Sequence, residues 1–198
     1  MSLNVTATDE LGNGFVTVYP CGDRPLASNV NYTARQTVPN AVLTPLGTDG
    51  TLCFYSSADA HLIADINGYF ESAVSFHPLD PTRVFDTRVG ELDGAVPVTK
   101  QQYGGDAVLT VHLAGAAGVP VSDAGAVSLN VTVTNPAAAG FVTVYPCGNR
   151  PLASNVNFAS GRTVPNAVVT PLSPGGDVCF YASANTDLLA DVNGWFGA

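Results

Sequence analysis

Short apolar segments follow one another along the chain, most of them alternating with polar residues and each cut off by turn formers. They read LNVTAT (3–8), FVTVYP (15–20), ASNVNY (27–32), NAVLTPL (40–46), LCFYSS (52–57) and HLIADI (61–66). A side-chain period of two belongs to a strand with one buried face. Between the segments stand clusters of Gly, Pro, Asn, Asp and Ser, the residues that turns select. Turn signals arrive every 8–12 residues, which is the spacing of an all-β sandwich or barrel. Further strands are predicted at TRVFDT (82–87), AVLTVHLA (107–114) and GAVSLNVTVT (125–134). No window carries a capped helical stripe at i, i+3, i+4 and i+7.

The pattern also repeats. Residues 2–72 lie on 128–198 at an offset of 126 without a gap, and 44 of those 71 positions are identical. GFVTVYPCG stands unchanged at 14–22 and 140–148. Mismatches gather in the turns, for example DELGN against NPAAA at 9–13 and 135–139. Segment 73–127 has no second copy. The expected fold is an all-β antiparallel β-sandwich, jelly-roll or Ig-like, built from tandem repeats of about 126 residues. The domain division is 1–73, the later part of one repeat, and 74–198, a complete repeat. The latter comprises a B unit (74–127) and a second A unit (128–198). Met1 falls in mid-period, so a stretch of a longer array is expected. Residues 1–10 lack the basic and apolar regions of a signal peptide. Three arrangements stay open: B completes a sandwich with the first A unit, or with the second, or each A unit folds alone.

Composition narrows the classes. The chain is 46 % hydrophobic and 12 % charged, which is not a disordered balance. A net charge of −9 repels a phosphate backbone, so nucleic acid is not an expected partner. No apolar run approaches the roughly 20 residues of a membrane span.

Cys21 and Cys53, then Cys147 and Cys179, are each 32 apart. Zinc sites need closer ligand pairs. One disulfide within each A unit is expected, against the alternative of two free thiols per unit, and it places the protein in an oxidising compartment.

Candidate chemistry is sparse. His61 aligns with Asp187, and His77 and His112 stand alone, so all three are read as ordinary surface or core residues. No metalloprotease, nucleophile-elbow or phosphate-loop motif is present. No enzyme activity, cofactor or metal is expected. RVFDTR sets Arg83, Asp86 and Arg88 in an apolar strand. Asp65 and Asp191 sit in LIADINGYF and LLADVNGWF. A structural ion pair from Arg83 or Arg88 to Asp191 is expected, since guanidinium and carboxylate form matched forks. The alternative is a cation site on Asp65 or Asp191 with the carbonyl of Asn67 or Asn193. ASNVN at 27–31 and 153–157 puts Asn29, Asn31, Asn155 and Asn157 on one strand face by the period of two. Asn is depleted in strands. The pairs therefore serve either hydrogen bonding to neighbouring loops or a polar binding face. Tyr19, Tyr145, Tyr55, Tyr181, Tyr69 and Trp195 recur at matching positions, whereas Phe15, Phe54, Phe70 and their copies are expected in the core. Asn29, Asn31, Asn155 and Asn157 with Tyr19, Tyr69, Tyr145 and Trp195 form the candidate binding set.

The string RVFDTR…GVP…AGAVSLNVTVTNPAAAGFVTVYPCG…RPLASNVN…TVPNAV…DVNGWF resembles a module repeated in large secreted or cell-surface proteins of actinobacteria. There it is often appended to cell-wall hydrolases or strung in tandem. The resemblance covers 81–196 in full and 2–70 as its later part, and it implies an extracellular or cell-surface accessory role. Two functions are expected: a structural or adhesive spacer, or a carbohydrate-binding module. The partners implied are neighbouring repeats of the same chain and cell-wall or extracellular polysaccharide.

Overall fold

The computed structural model describes residues 1–69, 76–105 and 107–197, with Ser2, Asn67 and Gly68 described by their backbone alone. Six strands form the first half: β1 (Ser2–Thr8), β2 (Gly14–Pro20), β3 (Val30–Tyr32), β4 (Val38–Leu43), β5 (Leu52–Ser56) and β6 (His61–Gly68). β7 (Phe76–Asp86) and β8 (Val108–His112) come from the middle segment. The second half holds β9 (Ala124–Thr134), β10 (Gly140–Pro146), β11 (Val156–Phe158), β12 (Val164–Pro171), β13 (Asp177–Ala182) and β14 (Asp187–Gly197). There is no helix among the described residues.

The strands build four antiparallel sheets in two sandwiches. Sheet β4-β1-β6 faces β3-β2-β5, and sheet β12-β9-β14-β7 faces β11-β10-β13-β8. Registers match at the offset seen in the sequence. Asn4 opposes Ala41 as Asn130 opposes Ala167, and Thr17 opposes Tyr55 as Thr143 opposes Tyr181. Among the described residues the middle segment pairs its strands with the second half, β7 with β14 and β8 with β13.

Alternation produces the core. Val127, Leu129, Val131 and Val133 of β9 bury with Leu188, Ala190 and Val192 of β14 against Val142, Val178 and Phe180 of the facing sheet. The first core repeats this with Leu3, Val5, Ala7, Val16, Val18, Val30 and Val42, and Tyr32 closes it. Turn chemistry repeats too. Asp9 and Asn135 leave β1 and β9 at φ of 52° and 51°, a left-handed conformation that short amide and acid side chains tolerate. Gly176 lies at φ 82°, and a Cβ there would meet Ala114 Cβ at 2.4 Å.

Three expectations change. Segment 27–32 is a strand only from Val30. Thr17 Oγ1 donates to Ala27 O at 2.6 Å, and Val18 N donates to Asn29 Oδ1 at 2.7 Å. These side-chain bonds replace ladder bonds and hold the stretch as a loop. β7 starts six residues earlier than predicted; Pro78 and Pro81 are tolerated because β7 is an edge strand. Phe54 is not core but 39 % exposed, while its copy Phe180 is fully buried. Phe15, Phe141 and Phe196 are half-buried, and Phe70 lies outside the described residues.

Candidate functional site

Both cysteine pairs are bonded, Cys21 to Cys53 and Cys147 to Cys179, with Cα–Cα distances of 4.9 Å, and no cysteine is free. Each bond ties the end of β2 or β10 to the neighbouring β5 or β13.

The richest polar cluster lies where the halves meet. On β9 the residues between the core valines point outward: Ser128, Asn130 and Thr132, all buried. Asp191 of β14 and Arg83 of β7 oppose each other in register on the same face. The β2–β3 connection and β4 of the first half sit on that face. Ser28 N donates to Asp191 Oδ2 at 3.0 Å, and Asn130 Nδ2 donates to Ser28 O. Asn40 Nδ2 donates to Asn130 Oδ1 at 2.7 Å, and Asn40 Oδ1 accepts from Ala167 N at 3.1 Å. Asn31 Nδ2 reaches Thr132 Oγ1 at 3.3 Å, and Arg162 Nη1 reaches Thr33 Oγ1 at 3.3 Å. Such buried groups tolerate docking only because each finds a partner.

The expected ion pair is present and extends further. Arg83 Nε donates to Asp191 Oδ1, and Arg83 Nη1 donates to Asp86 Oδ2 at 2.9 Å. Arg88 forks onto Asp86 through Nη2 at 2.6 Å and Nε at 3.0 Å, so it serves Asp86 rather than Asp191. Burial pushes the Asp191 carboxyl up, against the pull of Arg83 and the Ser28 amide. Burial acts upward on Asp86 as well, but the Arg88 hydrogen bonds and the charges of Arg88 and Arg83 outweigh it and hold that carboxyl below its usual value.

These two shifts carry opposite signs. A depressed folded-state pKa contributes stability that is present above the unfolded pKa and is lost as pH falls through the folded one. For Asp191 the raised value means a contribution fully present below the unfolded pKa, lost as pH rises through the folded one. Acidification below the ordinary aspartate value of about 4 should therefore remove the Asp86 contribution, and Asp86→Asn should flatten the acid limb. Urea midpoints at neutral and acid pH measure this; an unaltered acid loss in the variant refutes it.

The candidate binding set is scattered. Asn29 is buried, and its amide oxygen holds Val18 N; Asn155 holds Val144 N at 2.8 Å in the same way. Asn31 is half-buried at the docking face, while Asn157 is exposed and donates to Ser154 Oγ. Tyr145 is buried and Tyr19 half-buried. Trp195 is half-buried and stacks on His77 with centroids 3.7 Å apart, and Tyr69 is 67 % exposed. Tyr19, Tyr145 and Trp195 sit on three different strands, Tyr69 lies just past the end of β6, and the four share no open face, so the expected Asn face with aromatics does not form.

A cleft of about 290 Å³ opens beside the docking face, lined among others by Phe15, Arg24, Asn31, Arg83 and Arg88. Its arginines are engaged: Arg83 and Arg88 on carboxylates, and Arg24 over the Tyr55 ring at 4.1 Å, as Arg150 lies over Tyr181 at 3.9 Å. Among the described residues no group of three or more His, Cys, Asp or Glu is placed to hold a metal. Asp191 takes Arg83 where the cation alternative put a metal, and the side chain of Asn67 lies outside the described residues. His112 Nδ1 sits 2.9 Å from Asp177 Oδ1, and His61 is exposed.

Sequence reasoning missed Ser28, Asn40, Asn130 and Thr132 as interface residues. Their signal was the invariance of ASNVN, PNAV and SLNVT between the copies. No helix among the described residues is long and apolar enough to cross a membrane. No family model, curated protein or solved structure matches the chain.

Proposed function

We propose that the chain is a non-catalytic structural or adhesive repeat module of a larger extracellular or cell-surface protein, a spacer that holds its units at a fixed angle. One observation carries this reading: the recurring polar residues Ser28, Asn31 and Asn40 are consumed in hydrogen bonds that fasten one sandwich to the other. Two disulfides suit an oxidising exterior. The actinobacterial surface-module resemblance points the same way, with neighbouring repeats as the first partners.

Small-angle scattering tests the spacer. The native chain should scatter as one rigid particle. Asn40→Ala with Asn130→Ala removes bonds worth roughly 1 kcal/mol each and should give a hinged, broader distance distribution while both sandwiches stay folded. An unchanged profile counts against the reading. Carbohydrate binding remains the competing function, favoured by the exposed ring of Tyr69 and the free face of Asn157. A glycan array with a peptidoglycan pull-down separates the two: saturable capture lost on Tyr69→Ala or Asn157→Ala replaces the spacer with a lectin-like module.

A further inference from the structure

β6 and β14 carry nearly the same residues and meet different surroundings. β14 lies between β9 and β7, whereas β6 has β1 on one side and no strand among the described residues on the other. Ile63 and Ile66 are 50 % and 69 % exposed, where their counterparts Leu189 and Val192 are 4 % and 0 %. Ala64 and Asp65 are exposed, and Ala190 and Asp191 are fully buried. Arg83 holds Asp191, yet among the described residues no cation pairs with Asp65. On the facing sheet Phe180 meets Phe85 edge-on with centroids 4.9 Å apart, while among the described residues Phe54 has no such ring above it and is 39 % exposed. Both deficits trace to one element. Arg83 and Phe85 belong to β7, and β7 is already committed to β14.

We infer that the open edge of β6 is a strand-acceptor site, and that its occupant is an extended segment of the β7 type, Thr-Arg-Val-Phe-Asp, carried by another stretch of polypeptide. The segment adds antiparallel, and its main chain pairs with the free N–H and C=O groups along β6. The register is the one β7 shows on β14. Arginine falls opposite Asp65, phenylalanine opposite Ala64 and over Phe54, and threonine opposite Ile66. The added strand thus neutralises the carboxylate and covers Ile66, the counterpart of core residue Val192, in one step. A segment bearing lysine or no cation at the arginine position fits poorly, since a fork of donors is what the carboxylate accepts. The edge is open whatever the module's role, so glycan binding or a hinged scattering profile leaves it standing.

The test uses the full chain and a labelled peptide of residues 76–88, read by fluorescence polarisation and by hydrogen exchange. Saturable binding is expected, with slowed exchange over 62–66. Asp65→Ala in the chain, or Arg83→Ala in the peptide, should weaken binding at least about tenfold. Asp65 is exposed, so the variant keeps its fold. A second form supplies the segment in cis, with an extra copy of residues 74–126 placed ahead of Met1, which stands where Val127 stands in the second sandwich. It should protect β6 in the same way, and Arg83→Ala within the extra copy should remove the protection. Asp65- or Arg83-dependent protection of β6 in either form sustains the site. Its absence from both, its survival in the variants, or protection confined to β14 overturns it.

Discussion

Asp191→Ala should destabilise the second sandwich by about 3–5 kcal/mol, the cost of breaking a buried ion pair by deleting one partner. Asp191 is fully buried on β14. Its loss strips Arg83 of one of two carboxylates and leaves the Ser28 amide without its acceptor. The same change at Asp65 should move stability by no more than about 0.5 kcal/mol, since that carboxylate is exposed and unpaired among the described residues. The damage lies in the under-paired Arg83 guanidinium and the stranded Ser28 amide rather than in a lost attraction. Asp191→Leu combined with Arg83→Met removes the first of these and should therefore recover part of the loss. Denaturant unfolding of the three variants measures it. Equal effects at Asp65 and Asp191 would contradict the assigned roles.

The second large effect concerns the disulfides. Cys21→Ala with Cys53→Ala should cost roughly 3–4 kcal/mol in the chain-entropy account of a loop this long. The first sandwich has less to lose. Among the described residues its core gathers eight buried side chains against 22 in the second, and it lacks the strands equivalent to β7 and β8. Its unfolding should separate into an earlier calorimetric transition, leaving the second sandwich intact. Cys147→Ala with Cys179→Ala removes a similar increment from a larger reserve and should lower the later transition without abolishing it. A single transition at an unchanged midpoint in the first variant would refute this.

Strand positions were legible because alternation and turn residues are local signals. FVTVYP alternates and is followed by turn residues, and it is a strand in both copies. The disulfides were legible from two equal cysteine spacings, and the Arg83–Asp191 pair from charges set in apolar strands. Asn29 was harder: its side chain bonds Val18 N, eleven positions earlier, and so breaks the period on which a strand face depends. The docking residues were hardest. Asn40 and Asn130 meet across 90 residues, and nothing near either one reports the other. Phe54 failed for a related reason. Its letters match those around Phe180, but burial depends on which copy receives β7, and that choice is not written in either copy.

The docking contact joins two unlike surfaces: the Ser28–Asn40 side of one sandwich and the Asn130–Asp191 face of the next. The second sandwich presents its own Ser154, Asn157 and Asn166 to solvent on the side that corresponds to the first. A heterologous joint of this kind is not self-complementary and does not pair off into a closed dimer. Were the joint repeated, it would turn every unit by the same rotation and advance, closing into a ring if that rotation divides a full turn and otherwise giving an open screw.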